Sequence, residues 1–84
     1  MKIIPSYGGE FNINNPIFFA DMKEKSWVDD DYTVHLYREP TVYVENPVNG
    51  WCHVVATPKT LRRAKKLARK ATLAKIAGET TISF

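Results

Sequence analysis

Residues 32–38 alternate between apolar and polar positions with a period of two, and they are rich in aromatic and β-branched side chains. This pattern is typical of a β-strand with one buried face. Tyr32, Val34 and Leu36 fall on the same face of the predicted strand. We therefore expect those three side chains to face the core.

Two further strands are predicted directly after this one. Residues 41–45 alternate again beyond a short break at 39–40, and residues 51–56 form the next apolar stretch. The segment between them, 46–50, consists of Asn, Pro, Val and Gly residues that favour a tight turn. The pattern predicts a three-stranded antiparallel meander over residues 32–56.

The first third of the chain has a weaker pattern. Residues 2–7 predict a short strand that Pro5 confines to a sheet edge or a bulge, and residues 11–13 alternate briefly. Residues 17–20 are apolar and fit either a strand or a helical turn. Residues 23–31 are predominantly polar and predict a loop.

One long helix is predicted after the meander. Residues 59–77 contain no Gly or Pro and consist mostly of Ala, Leu, Lys and Arg. Thr57 is the expected N-cap and Pro58 the first helical residue, and Gly78 is expected to end the helix.

The order of elements predicts an α+β fold in a single domain, residues 1–84. An antiparallel sheet, a meander of about four to six strands, is expected with one long basic helix packed on one face. Residues 79–84 predict a short C-terminal strand. If the helix crosses back over the sheet, this strand lies parallel to the one that ends at Ala56.

The predicted helix divides into an alanine-rich side and a basic side. Ala64, Leu67, Ala68, Ala71 and Ala74 fall on one side, where their small side chains permit close packing against the sheet. Seven cations fall on the opposite arc: Lys59, Arg62, Arg63, Lys65, Lys66, Arg69 and Lys70. We call this set the basic arc.

The charge of the whole chain, +3, conceals this concentration of cations. Residues 1–57 contain four basic and eight acidic residues, for a net charge of −4, and residues 58–84 contain eight basic residues and Glu79, for +7. A helix face selected only for solvation usually mixes Glu with Lys, whereas residues 58–77 contain no acid. Like charges at spacings of three and four also repel each other.

Three interpretations of the basic arc remain open. The first is that the arc is simply a solvated surface, the second that it binds nucleic-acid phosphates, and the third that it binds an acidic protein. The helix contains no Asn or Gln, so any reading of bases by it depends on arginine. Contacts between the helix of one copy and the acidic loop of another, in a homodimer, would also use these charges.

Two apolar residues, Leu73 and Ile76, interrupt the charged side of the helix. Contact with the C-terminal segment is the commoner reason for such positions. The alternatives are a bend or fraying near Thr72 and a contact with a partner.

The outer face of the predicted sheet is a candidate protein-binding surface. The alternation places Tyr37, Tyr43 and His35 opposite the Val- and Leu-rich face, with Trp51 as a further candidate. Exposed Tyr and Trp residues frequently dominate the energetics of protein interfaces. Packing between neighbouring strands is the simpler explanation for such pairs.

Catalytic and metal-binding patterns are weak. His35, Cys52 and His53 are the only soft ligands, and adjacent residues of a strand point to opposite faces, so Cys52 and His53 cannot form one compact site. The acidic triplet 29–31 is more typical of a solvated loop than of a cation site. We expect no enzymatic activity, no metal and no cofactor.

The length and the single cysteine restrict the class of protein. Eighty-four residues suffice for one small domain, and one cysteine favours a reducing compartment, so a cytoplasmic protein without a signal peptide or a membrane partner is expected. The expected function is a small non-enzymatic protein that binds nucleic acid through the basic helix. The alternative is a protein-binding regulator or inhibitor, for example a phage-type accessory protein that acts on a host protein complex.

Overall fold

The computed structural model describes all residues 1–84 and confirms the α+β class. The elements are β1 (Lys2–Ile4), β2 (Phe11–Asn12), β3 (Ile17–Val28), β4 (Val34–Glu45), β5 (Cys52–Ala56), α1 (Leu61–Ile76) and β6 (Thr81–Ser83). The six strands divide into two three-stranded sheets, with the orders β2-β1-β6 and β3-β4-β5.

The dominant element is the long hairpin of β3 and β4, twelve residues in each strand. The two strands pair without interruption from Ile17 opposite Glu45 to Val28 opposite Val34. The loop predicted at 23–31 is therefore wrong over most of its length, because those polar residues lie in β3. Polar side chains are compatible with a strand that leaves the core and has solvent on its faces.

The break predicted at residues 39–40 is also wrong, since Pro40 pairs with Met22 inside β4. On its other side β4 pairs with β5 only from Val42 onward. The edge of β4 at Pro40 thus has no neighbouring strand. A proline is tolerated at such an edge because no partner strand needs its missing N–H.

The second half of the meander is confirmed. β5 pairs antiparallel with β4, with a bulge between Val42 and Tyr43. The connecting turn has Gly50 at a φ of 74°, a conformation that glycine adopts without strain. Asn46 Oδ1 accepts a hydrogen bond from the backbone N–H of Val48, and Asn49 Oδ1 accepts one from Trp51.

The C-terminal strand is present, but it pairs with a different strand than expected. β6 lies parallel to β1, with Ile82 opposite Ile3, rather than beside the strand that ends at Ala56. The helix crosses the molecule and delivers the chain to the small sheet, where Ile3 and Ile82 are both buried. β1 and β6 therefore join the two ends of the chain.

The helix α1 packs on the large sheet through its alanine side, as predicted. Ala64, Ala68 and Ala71 are buried in one cluster with residues of both sheets. The cluster contains eleven residues: Ile3, Ile13, Phe18, Val42, Val44, Val55, Ala56, Ala64, Ala68, Ala71 and Ile82.

The predicted N-cap, Thr57, is wrong. The helix begins at Leu61, and its N-cap is Thr60, whose Oγ1 accepts a hydrogen bond from the backbone N–H of Arg63 at 3.2 Å. The helix ends at Ile76, and Gly78 follows with a φ of 86°, as expected for a glycine beyond a helix terminus.

The far half of the β3–β4 hairpin projects from the body. The molecule measures 51 × 26 × 22 Å, and no residue of the buried cluster lies within residues 22–40. We call residues 22–40 the hairpin arm. The expectation that Tyr32, Val34 and Leu36 face the core is wrong: Val34 and Leu36 are exposed on the arm, and Tyr32 lies in its terminal turn at a φ of 59°.

Candidate nucleic-acid interface

The basic arc occupies the side of α1 that faces away from the sheet. At about 100° per residue, the six residues of the arc that lie within the helix spread over roughly 160° of its circumference. All seven residues of the arc are exposed to solvent: Lys59, Arg62, Arg63, Lys65, Lys66, Arg69 and Lys70.

No carboxylate of the chain neutralises the basic arc. The ion pairs of the structure join Lys2 to Glu10 and Lys25 to Glu39, and Asp29 contacts His35; none of these contacts includes a residue of the arc. The remaining cation of the helix, Lys75, instead donates a hydrogen bond to the carbonyl oxygen of Pro16 at 2.9 Å. The arc is thus a positively charged surface whose residues form no ion pair.

The beginning of α1 concentrates this charge further. Its first turn contains no acidic residue, although the N-terminal end of a helix has a partial positive charge that acids stabilise. Lys59, Arg62 and Arg63 lie at this end instead. An external anion at this position would be stabilised both by the side chains and by the helix dipole.

The two apolar residues beyond the arc are not covered by the chain. Leu73 is 54% exposed and Ile76 is 75% exposed. The predicted contact with the C-terminal segment is therefore wrong, because β6 lies against β1 at the other side of the helix. The two side chains form an apolar surface on the outer face of α1, near the C-terminal end of the helix.

The aromatic candidates do not form one patch. Tyr37, Tyr43 and His35 share a face of β4, as predicted, but each is already in contact with a neighbour or only partly exposed. Tyr43 stacks on Phe19 with ring centroids 5.0 Å apart, and His35 stacks on Trp27 at 4.2 Å.

Trp51 lies at the opposite end of the sheet from His35. It immediately precedes β5, whose first residue pairs with Glu45, ten residues along β4 from His35. Ten residues of a strand span about 33 Å. The exposed Trp51 is therefore not a neighbour of His35.

The tip of the hairpin arm is closed by Asp29. Its Oδ1 accepts hydrogen bonds from the backbone N–H groups of Asp31 and Thr33, and its Oδ2 lies 2.7 Å from Nε2 of His35. The interaction with His35 and these backbone bonds lower the pKa of Asp29 below its ordinary value. This residue of the acidic triplet thus has a structural role.

Two other ionisable groups on this face have shifted pKa values. The close contact with Glu39, whose Oε2 lies 2.9 Å from Nζ, and the attraction between the two charges raise the pKa of Lys25. Burial, followed by repulsion from Asp21, raises the pKa of Tyr43. At neutral pH Lys25 is therefore a cation and Tyr43 is neutral.

The exposed apolar residues of the hairpin arm were missed by the sequence interpretation. Val28, Val34 and Leu36 lie on one face, and Val28 pairs directly with Val34. The observed lengths explain this exposure: each twelve-residue strand spans about 40 Å, whereas the sixteen-residue helix covers about 24 Å. One helix cannot cover the whole hairpin.

The candidate soft ligands are dispersed. Cys52 lies opposite Glu45 and His53 opposite Val44, on different faces of β5, and His53 packs against the ring of Phe11. The structure contains no group of three or more His, Cys, Asp or Glu side chains placed to hold a metal ion. No helix has the length and apolar character needed to cross a membrane.

Comparisons with known proteins identify no relative. No protein-family model matches the chain, and neither the curated proteins nor the solved structures contain a match.

Proposed function

We propose that this protein is a non-enzymatic nucleic-acid-binding protein whose basic arc contacts backbone phosphates. The observation that supports this most strongly is the exposure of all seven cations together with the lack of any carboxylate paired to them. Uncompensated cations on one face repel each other, and a polyanion removes that repulsion.

The residue types of the helix favour binding without sequence selectivity. Lys and Arg neutralise phosphates and release the counterions condensed on the nucleic acid. The outer face of α1 contains no Asn or Gln, so its bidentate contacts to base edges depend chiefly on Arg62, Arg63 and Arg69, with lysine as the other donor to guanine. We expect similar affinities for DNA duplexes of unrelated sequence.

A salt titration of binding tests this proposal. Fluorescence anisotropy of a labelled duplex measures the association constant at several salt concentrations. If the seven cations each neutralise one phosphate, the logarithm of the constant falls against the logarithm of salt concentration with a slope of about −6. No binding at low salt would contradict the proposal.

A pair of matched variants locates the binding surface. Lys66→Gln with Arg69→Gln removes two charges from the arc and is expected to reduce the slope by about 1.8. Lys2→Gln with Lys23→Gln removes two charges elsewhere and is expected to leave the slope nearly unchanged. Equal effects of the two pairs would show that net charge, rather than the arc, determines binding.

A second candidate function is that of a protein-binding regulator or inhibitor, such as a phage-type accessory protein. The exposed apolar residues of the hairpin arm favour it, since such patches are typical of protein interfaces. For the arc itself, polyglutamate is the discriminating probe. Binding of polyglutamate without binding of a DNA or RNA duplex would favour an acidic protein as the partner.

We also propose a cytoplasmic location. The single cysteine, Cys52, is free and exposed, and an exposed thiol is best preserved in a reducing compartment. Fractionation of cells that express the protein, with detection in each fraction, tests this location.

A further inference from the structure

The two faces of the hairpin arm differ in the contacts that their side chains make with one another. On one face Trp27 stacks on His35, and Lys25 pairs with Glu39. We call the other face the open face of the arm; its apolar residues are Val28, Val34 and Leu36, and it also contains the exposed Glu24, Ser26 and Arg38. The three apolar side chains are 58%, 59% and 81% exposed.

The open face continues the face of the sheet that the helix covers in the body. Alternate residues of β4 lie on one face, so Leu36 shares a face with the buried Val42 and Val44. The helix begins close to Val42, because Ala56 pairs with Val42 and four residues connect Ala56 to Leu61. The covering layer thus stops at the base of the arm.

The arm also lacks neighbouring strands. β3 pairs only with β4, and β5 ends opposite Val42, so both edges of the arm are unpaired. A two-stranded ribbon alone is marginally stable in water, and an exposed apolar face adds to the free-energy cost. A second layer over the open face would stabilise the arm.

The ends of the arm have complementary charges. At the tip, Asp30 and Asp31 are exposed and form no ion pair. At the base, α1 begins with Lys59, Arg62 and Arg63 and has no acid in its first turn. The distance from Met22 at the base to Val28 near the tip is about 20 Å, six residues of strand.

We propose that the hairpin arm docks on the arm of a second copy of this chain, open face against open face. The two arms run antiparallel about a two-fold axis, with Leu36 of each copy near the centre. Each tip then reaches the base of the other arm, where Asp30 and Asp31 lie beside the start of the partner copy's α1. The same surface on both copies supplies both halves of the contact, as a two-fold dimer requires.

Packing geometry excludes the parallel arrangement. Both helices lie on the face that would form the contact, and a helix has a diameter of about 10 Å, equal to the usual spacing of packed sheets. Parallel arms would place the two helices in the same space. In the antiparallel arrangement, each arm covers the partner's open face. It lies beyond the start of the partner's helix and in the same layer as that helix.

The charge of the arm favours this partner over nucleic acid. Residues 22–40 contain five acidic and three basic residues, a net charge of −2, which repels phosphates. The tip meets only the first turn of the partner's helix. Lys65, Lys66, Arg69 and Lys70 lie further along α1 and stay available for phosphates, so the dimer and nucleic acid share only Lys59, Arg62 and Arg63.

Sedimentation equilibrium of the nuclease-treated protein tests the dimer. We expect a dissociation constant in the micromolar range, as for a small, transient interface. Leu36→Asp is expected to raise this constant about thirty-fold or more, because a central apolar anchor is replaced by a charge. Ile76→Asp, an equivalent change at an exposed apolar residue of the helix, is expected to leave it unchanged.

A charge exchange tests the orientation of the two arms. The variant Asp30→Lys/Asp31→Lys has a basic tip, and the variant Arg62→Glu/Arg63→Glu has an acidic helix start. Each variant alone is expected to dimerise more weakly than the wild type, because like charges then meet. An equimolar mixture is expected to recover the wild-type affinity through heterodimers. Circular dichroism of each variant confirms its fold.

Three results would overturn the proposal. The first is a wild-type protein that stays monomeric at high micromolar concentration. The second is a dimer that Leu36→Asp does not weaken, and the third is a mixture of the charge variants that associates no better than either variant alone. Because no nucleic acid is present, these results leave the salt titration of the arc as a separate test.

Discussion

At the scale of single residues, one hydroxyl group sets the start of α1. Thr60 Oγ1 accepts the backbone N–H of Arg63, whereas Thr57 lies three residues before this cap. Thr60→Ala is expected to lower the free energy of unfolding by about 1 kcal/mol, and Thr57→Ala is expected to have little effect. Urea denaturation of both variants measures the difference. A larger loss at Thr57 would contradict the assigned cap.

The carboxylate of Asp29 makes the tip of the arm sensitive to acid. Its pKa is lowered in the folded protein, chiefly by the hydrogen bond with His35. The stabilisation it provides is therefore complete above the ordinary pKa of aspartate and is lost as the pH falls through the lowered pKa. Hydrogen exchange at the Thr33 amide, which donates to Asp29, reports on this contact.

Asp29→Asn is expected to speed exchange at the Thr33 amide at neutral pH, relative to the intrinsic rate. The wild type and the variant should converge once the pH lies below the lowered pKa, because the side chain at position 29 is then uncharged in both proteins. Asp30→Asn is the matched control, since the Asp30 side chain is exposed. A difference between Asp29→Asn and the wild type that persists unchanged in acid would contradict the role of the charge.

At the scale of elements, the alanine side of α1 determines how closely the helix approaches the sheet. Ala64 is fully buried, and a larger side chain there must displace the helix or the strands. Ala64→Leu is expected to reduce stability by about 1–3 kcal/mol through overpacking. Ala77→Leu, at the exposed end of the helix, should change it far less. Thermal denaturation of both variants provides the measurement.

The sequence predicts those elements whose conformation is determined by their own residues. The turn at 46–50 and the helix end at Gly78 depend on residues that favour those conformations themselves. The far half of β3 has no such local signal, because neither face of that segment is buried in the core and its apolar alternation fades. Its strand conformation depends on pairing with β4, and this is a non-local cause.

The basic arc was predictable because helical periodicity alone assigns its residues to one side. Its freedom from ion pairs was not, since that depends on where residues of the other elements lie in space. For the aromatic residues, alternation correctly places Tyr37 and Tyr43 on one face, but it gives no information on the position of Trp51.

At the scale of the whole molecule, we expect the body to fold without the arm. Every residue of the buried cluster lies outside residues 22–40. Replacing residues 25–37 by Asn-Gly would connect Glu24 to Arg38, which already face each other, through a two-residue turn. The shortened protein is expected to retain a cooperative thermal transition, because its core is intact. Loss of that transition would show that the arm is required for folding of the body.

The pairing of β1 with β6 has a consequence for the order of folding. Ile3 and Ile82 are neighbours in space but are separated by almost the whole chain, whereas β3 and β4 are joined by a short turn. Closing a long loop costs more conformational entropy than closing a short one. The β3–β4 hairpin is therefore expected to form early and the β1–β6 ladder last. The small sheet then acts as the final closure of a core whose larger sheet is already assembled.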